Sequence, residues 1–101
     1  MPNFKPLTLS EPAKKDLQAI ADYTLEQWGE TQKSRYLALI QKSFVSLSTL
    51  GNIGKQRDDI ATGLYAYTIK QHCVYFREEA AEFVVIRVLH QRMDVAQHLD
   101  E

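Results

Sequence analysis

The sequence predicts an α+β domain in which a helical hairpin packs on one face of a mainly antiparallel sheet. Two long amphipathic segments follow one another with only Gly29 and Glu30 between them, which predicts two antiparallel helices. Three short runs rich in β-branched and aromatic residues occupy the second half of the chain and predict strands. If the two helices packed only on each other, half of their apolar surface would stay exposed. We therefore expect the sheet to cover the rest of that surface. The predicted order is strand, helix, helix, strand, strand, strand and a short C-terminal helix.

The first elements are a short strand and the first helix. Residues 4–9 alternate in polarity after Pro6, which lacks an N–H and is therefore expected at the start of a strand or on a sheet edge. Ser10 is a favourable N-cap, and the helix that runs from it to Gly29 carries its apolar residues on one stripe. Trp28 continues this stripe, so we expect it to anchor the core.

The second helix is predicted from about Thr31 to Leu50. Its apolar stripe consists of Tyr36, Leu37, Ile40, Phe44, Leu47 and Leu50. Residues 51–63 are expected to form the one long loop. Two strands should follow at 64–69 and 73–77, and Asp94 is placed to cap a short terminal helix.

The last strand begins at Phe83 and is apolar on both faces, which favours a position inside the sheet. Alternation predicts that Val84, Ile86 and Val88 face the helices. The opposite face is then expected to carry Tyr75, Arg77 and Arg87.

Composition limits the classes of function. At 101 residues the chain is expected to form one domain over residues 1–101. The formal net charge is −1, from 12 Lys and Arg against 13 Asp and Glu, so we do not expect the chain alone to bind nucleic acid directly. The single cysteine, Cys73, excludes an intrachain disulfide, and its apolar strand favours a small buried side chain. We find no secretory signal and no apolar run long enough to span a bilayer, and we expect a cytoplasmic protein.

No motif in the sequence predicts catalysis or metal binding. The histidines His72, His90 and His98 lie at no metal-ligand spacing with a carboxylate or a thiol. The sequence contains neither a nucleophile elbow nor a glycine-rich phosphate loop. We therefore expect no cofactor and no metal ion.

One group of basic residues is a candidate binding site. It consists of Arg77, Arg87, His90 and Arg92, with Tyr75 nearby. If Arg77 pairs with Phe83, Arg87 lies about 13 Å away along the strand, which is too far for two arginines to clamp one phosphate. The arginines could cradle a nucleic-acid backbone, bind carboxylates on a partner, or be ordinary surface charges. His90, at the end of the strand, is compatible with either a structural or a functional role.

Four stretches of the chain carry a family resemblance. They are AKKDLQAIADYTLEQWG at 13–29, QKSRYLALIQKSFVSLSTL at 32–50, IGKQRDDIATGLYAYTIKQHCVYFRE at 53–78 and VVIRVLHQRMDVAQHL at 84–99. Together they resemble the ParE branch of the RelE/ParE toxin superfamily from bacterial toxin–antitoxin pairs. One departure lies after the second helix, where the family often has a proline and this chain has Gly51-Asn52-Ile53.

The resemblance implies a non-catalytic toxin that inhibits DNA gyrase by binding and that a ParD-like antitoxin neutralises. We expect target contacts at Tyr75, Arg77, Arg87, His90, Arg92 and Met93, and we expect residues 91–99 to belong to the target surface. Apolar residues off the main helix stripes are expected to bind the antitoxin, namely Tyr23, Leu25, Leu39 and Val45. A partly disordered antitoxin could lay an amphipathic helix on them and add a strand to an open sheet edge.

The alternative is the RelE-like branch, whose members are ribosome-dependent mRNA endoribonucleases that need no metal. That chemistry would need His90 or His98 as a general acid or base near the scissile phosphate, with arginines stabilising its charge. The chain has these candidates, but it has no tyrosine after Tyr75. A non-toxic binding module with the same fold is a third interpretation.

Overall fold

The computed structural model describes residues 5–99, which form a five-stranded sheet and two long helices. The elements are β1 (Leu7–Leu9), α1 (Glu11–Trp28), α2 (Glu30–Leu50), β2 (Lys55–Gln56), β3 (Tyr65–Ile69), β4 (His72–Glu78), β5 (Phe83–His90) and α3 (Val95–His98). The α+β prediction and the predicted element order are confirmed, except that the predicted loop contains the two-residue strand β2. Residue 4, which the sequence assigns to the first strand, lies outside the described residues.

The strands lie in the order β1-β5-β4-β3-β2 across the sheet. β1 runs parallel to β5, with Leu7 opposite Phe83 and Leu9 opposite Val85, and the other neighbouring strands are antiparallel. Pro6 precedes this edge strand, and its carbonyl accepts a hydrogen bond of 2.8 Å from the Phe83 N–H. The position predicted for Pro6 from its missing N–H is therefore confirmed.

Two caps fix the ends of α1. The Ser10 hydroxyl accepts a hydrogen bond of 3.1 Å from the Ala13 N–H and donates one of 2.7 Å to the Ile86 carbonyl, so the N-cap also ties α1 to β5. At the other end, Gly29 has a φ of 88°, and its N–H donates to the Leu25 carbonyl at 3.0 Å. Glycine adopts this φ without strain, which lets α2 begin at the next residue. No helix in the described part of the chain is long and apolar enough to cross a membrane.

The main core lies between the helices and one face of the sheet. Its buried side chains are Ala13, Ile20, Ile40, Phe44, Leu47, Ile69, Val74, Phe76, Phe83, Val85 and Val88. Leu47, Phe76 and Phe83 are fully buried, and burial of each such side chain stabilises the fold by about 1.5–3 kcal/mol. The Phe83 ring stands edge-on to the Phe76 ring, with 5.8 Å between their centroids. This packing fixes β4 and β5 against the helical hairpin.

A β-bulge in β5 changes the alternation that the sequence predicts. Val85 pairs with Phe76 in β4. The next pair along β4 joins Tyr75 to Arg87, which leaves Ile86 as the extra residue of β5. Such an extra residue reverses the faces of all the side chains that follow it.

The bulge makes part of the facial assignment wrong. Val85 and Val88 both belong to the helix-facing core, although they are three residues apart. Ile86 packs instead against the cluster on the opposite face, and Val84 is outside the helix-facing core. Of the three residues predicted to face the helices, only Val88 belongs to that core.

The register of the β4–β5 hairpin also differs from the prediction. Arg77 pairs with Val84, whereas the sequence predicts that it pairs with Phe83. The difference arises because β4 continues for one residue beyond Arg77 before the chain turns. The turn is closed by a hydrogen bond of 2.8 Å from the Glu79 N–H to the Glu82 carbonyl.

A second, smaller cluster covers the other face of the sheet. Its buried members are Leu64, Ala66, Cys73, Tyr75 and Leu89. Ile60 and Ala61 from the loop after β2 pack on it, and so do Val95 in α3 and Leu99 directly after it. The burial predicted for Cys73 is confirmed.

Two residues predicted to lie in the core are exposed. Trp28 exposes 71% of its surface and Leu50 exposes 72%. Each is the last residue of its helix, and the last buried residues of the two helices are Thr24 and Ser48. The apolar stripe of each helix therefore extends past the part of the helix that the rest of the fold covers.

Candidate functional site

The residues predicted to contact a target do not form one exposed surface. Tyr75 and Arg87 each expose only 7% of their surface. The other four are half-buried or exposed, namely Arg77, His90, Arg92 and Met93. Tyr75 and Arg87 lie opposite each other on the predicted face, but the expectation that this face is exposed is wrong. The loop after β2 and residues near the C-terminal helix cover that side of the sheet.

Arg87 lies where α1, β5 and α3 meet. Its Nε and Nη2 donate to the two carboxylate oxygens of Asp16 at 2.8 and 2.9 Å. The same carboxylate accepts a hydrogen bond of 2.9 Å from the Val88 N–H. Nη1 of Arg87 donates to the His98 carbonyl at 2.5 Å. Sequence reasoning missed Asp16, although an acid beside the stripe residue Leu17 was an available signal.

Arg77 is held by the loop that covers the second cluster. Its Nη1 donates to the Thr62 carbonyl at 2.5 Å. Within this loop, Arg57 donates from Nε and Nη2 to both carboxylate oxygens of Asp59 at 3.0 Å each. These hydrogen bonds lower the pKa of the Asp59 carboxyl. Arg77 and Arg57 therefore stabilise the loop on the sheet.

A first cleft, of about 550 Å³, lies at the tip of the helical hairpin, between the end of α1, the start of α2 and the β3–β4 turn. Tyr23, Trp28 and Tyr36 line it together with Lys70 and His90. Tyr23 exposes 62% of its surface and Trp28 exposes 71%. Large exposed aromatic side chains that share a concave surface are typical of a contact site.

Two histidines lie side by side in the first cleft. The His72 ring meets the His90 ring edge-on, with 5.3 Å between their centroids. Burial, and then the neighbouring His90, lower the pKa of His72, and a hydrogen bond of 2.5 Å joins its Nδ1 to the Tyr36 hydroxyl. His90 Nδ1 accepts a hydrogen bond of 3.1 Å from the Arg92 N–H. His90 therefore shapes the turn that follows β5.

A second cleft, of about 330 Å³, lies between α2 and the outer edge of β3. Leu39 and Lys42 line its helical side, and Lys70 lines both clefts, so the two are adjacent. β2 pairs only with Tyr65 and Ala66 of β3. The remainder of that edge has no strand partner among the described residues. No carboxylate belongs to the described lining of either cleft.

The residues predicted to bind an antitoxin lie on different sides of the hairpin. Tyr23 lines the first cleft and Leu39 lines the second. Leu25 exposes 41% of its surface and Val45 exposes 51%, but neither lines a cleft. The reason is helical geometry, because residues two positions apart, such as Tyr23 and Leu25, face different directions.

Comparison with known families decides the assignment. The family model described as ParE toxin of type II toxin–antitoxin system, parDE, matches residues 7–95. The chain belongs to the ParE toxin family. This membership confirms the resemblance drawn from the sequence and makes the chain a toxin of a type II toxin–antitoxin system. All five strands and both long helices lie within the matched residues.

Named relatives match over nearly their whole length. Toxin ParE1 of Mycobacterium tuberculosis is 34% identical over 92 residues, which cover 90% of this chain and 94% of the relative. Toxin ParE1 of Caulobacter vibrioides is 30% identical over 96 residues, which cover 95% and 99%. Toxin ParE of Escherichia coli is 29% identical over 92 residues, which cover 90% and 89%.

Two solved structures share the fold. A chain of the chromosomal ParDE toxin–antitoxin system from P. aeruginosa matches with a TM-score of 0.75 at 21% identity, covering 87% of this chain and 97% of that chain. A chain of the toxin–antitoxin complex RelBE2 from Mycobacterium tuberculosis matches with a TM-score of 0.60 at 18% identity, covering 89% and 94%. At these identities the similarity shows a shared fold and nothing more.

Proposed function

We propose that the protein inhibits DNA gyrase by binding it, without catalysis, and that a ParD-like antitoxin neutralises it in the cytoplasm. The observation that carries this proposal is the family match over residues 7–95. Inhibition by binding needs an exposed surface of suitable chemistry, and we assign one surface to the target and another to the antitoxin.

The target surface in this proposal is the turn that follows β5. Arg92 and Met93 are exposed there, and His90 ends the strand beside the first cleft. Arginine and methionine are both enriched in protein–protein interfaces, which suits a protein target such as gyrase. The other three predicted target residues act indirectly in this proposal, because each is held by contacts within the chain.

The antitoxin surface in this proposal consists of the two adjacent clefts and the open part of the β3 edge. Lys42 and Lys70 give this surface a positive charge, and its described lining contains no acid. An acidic segment with apolar anchors would therefore complement it, with anchors near Tyr23 and Leu39. An extended part of the same segment could pair with β3 beyond Ala66.

The test is a supercoiling assay with purified gyrase. The purified full chain should block supercoiling, and addition of a ParD-like antitoxin should restore it. A parallel assay measures ribosome-dependent cleavage of mRNA. Full supercoiling at a saturating concentration of folded protein would contradict the proposed target.

A second candidate function, ribosome-dependent mRNA cleavage, is favoured by one feature. His72, His90 and Lys70 line the same cleft, and two histidines near a cation could supply acid–base catalysis and stabilise a phosphate charge. The variant His72→Gln separates the two functions, because His72 lies outside the proposed target surface. Loss of mRNA cleavage with intact folding would support the ribonuclease, whereas unchanged gyrase inhibition would support a non-catalytic toxin.

A further inference from the structure

We infer that Arg87 is a positioning residue that holds residues 91–99, here called the C-terminal segment, in the conformation that presents Arg92 and Met93 to the target. The anchoring follows from contacts that Arg87 makes within the chain, whatever the target of the toxin is. Its consequence for gyrase rests on the proposed function. Arg87 thus acts through the segment and does not touch the target itself.

The first step is the attachment of Arg87 to the body of the fold. Its fork of two donors engages both oxygens of Asp16, and the side chains of Arg87 and Asp16 are only 9% and 13% exposed. Because Asp16 also accepts from the Val88 N–H, its carboxylate is fixed against β5 as well as against Arg87. A bidentate pair of this kind holds the guanidinium plane in one orientation.

The second step is the attachment of the C-terminal segment to Arg87. Nη1 of Arg87 donates to the His98 carbonyl at the end of α3. α3 spans only Val95–His98, and a helix of one turn is not stable without tertiary contacts. The apolar contacts of Val95 and Leu99 with the second cluster hold the segment from one side, and Arg87 holds its carbonyl end.

The third step explains why an arginine is needed. A buried ion pair often contributes little to stability compared with an apolar pair of the same volume, so the role we give this pair is to hold the segment in place and not to stabilise the whole fold. Arginine has five donors in a planar fork and can bind a carboxylate and a carbonyl at once in fixed directions. Lysine carries one ammonium group, so at this position it could keep the contact with Asp16 but not the same bridge to His98.

The variants separate the anchor from general stability. Arg87→Met removes the contacts with Asp16 and His98 and leaves the Asp16 carboxylate without this cation in a partly buried site. The double variant Arg87→Met/Asp16→Asn removes that charge and retains an oxygen acceptor for the Val88 N–H. Arg87→Lys retains a positive charge near Asp16. Asp22→Asn is the matched control, because Asp22 is exposed on α1 and accepts from Gln18.

Four readouts are measured on each full-length variant. Hydrogen exchange reports the segment through the Gln97 N–H, which donates to the Asp94 carbonyl, and the Leu99 N–H, which donates to the Val95 carbonyl. Urea unfolding reports global stability, and antitoxin binding reports the integrity of the other surface. Gyrase inhibition is the functional readout.

We expect Arg87→Met to speed exchange at Gln97 and Leu99 by about tenfold or more, the range for a lost hydrogen bond to a charged group. Gyrase inhibition should fall by a similar factor, and antitoxin binding should be unchanged. The double variant should recover stability relative to Arg87→Met but neither the protection nor the inhibition. Arg87→Lys should behave in the same way as the double variant, and Asp22→Asn should match the wild type.

Unchanged exchange at Gln97 and Leu99 in Arg87→Met would overturn the inference. Faster exchange with full gyrase inhibition would overturn it as well, because the segment would then not need to be held. Recovery of inhibition in the double variant would assign Arg87 a purely structural role. If the wild-type protein fails to inhibit gyrase, the proposed target is wrong, while the exchange data still decide whether Arg87 anchors the segment.

Discussion

Gly54 offers a quantitative test of how the chain before β2 packs against the core. A Cβ atom at this position would lie 2.5 Å from Cζ and 2.7 Å from Cε1 of Phe76, and 3.2 Å from the Ala66 carbonyl oxygen. Phe76 is fully buried and its ring packs against Phe83, so it cannot move aside without disturbing the core. Gly54→Ala should therefore lower the free energy of unfolding by about 1–3 kcal/mol, the usual cost of overpacking. In a domain of this size, each kcal/mol corresponds to a fall in Tm of about 4–8 °C.

Urea unfolding followed by circular dichroism measures this change. The control is the double variant Gly54→Ala/Phe76→Leu, in which the smaller leucine leaves room for the added methyl group. The two changes should be non-additive, with a favourable coupling of about 0.5–3 kcal/mol, as expected for residues in contact. A Gly54→Ala protein as stable as the wild type, or strictly additive changes in the double variant, would refute the steric argument.

Three further predictions concern pH, the antitoxin and the target. The pKa of His72 is lowered in the fold, chiefly by burial, so its contribution to stability should be complete above about pH 6.5 and lost as pH falls through the folded pKa. Urea unfolding of His72→Gln should show a weaker dependence on pH in that range, and an unchanged dependence would assign it to another group. Lys42→Gln should weaken antitoxin binding about two- to fivefold at low salt, whereas Lys14→Gln, which removes an exposed charge near the start of α1, should leave it unchanged in the same titration. Arg92→Ala should reduce gyrase inhibition about tenfold in the supercoiling assay without changing the free energy of unfolding, and full inhibition would remove Arg92 from the target surface.

The order of the elements could be predicted because it depends on local periodicity. The apolar stripes of α1 and α2, the cap at Ser10 and the edge position of Pro6 follow from residues close in sequence. The register of β4 against β5 could not be predicted in the same way. A single extra residue at Ile86 reverses the facing of the side chains after it, and the sequence contains no local signal for that bulge.

The candidate site was only partly predictable, because burial of a charged residue depends on distant partners. Arg87 reads as an exposed charge on a strand, yet its partner Asp16 lies 71 positions away. The exposure of Arg92 and Met93 follows from a polar turn and could be expected locally. The clefts could not, since Trp28 continues a helix stripe and its exposure depends on where the sheet ends.

The position of β5 also determines when the chain can fold. β5 lies between β1 and β4, yet among the strands of residues 5–99 it is the last to be synthesised, and β1 has β5 as its strand neighbour in the sheet. Pairing over such a sequence separation carries a loop-closure cost and slows folding. A nascent chain that ends before Phe83 therefore exposes the apolar sides of its helices and cannot complete the sheet. Premature termination of translation should accordingly yield chains that aggregate or are degraded and that have no toxin activity.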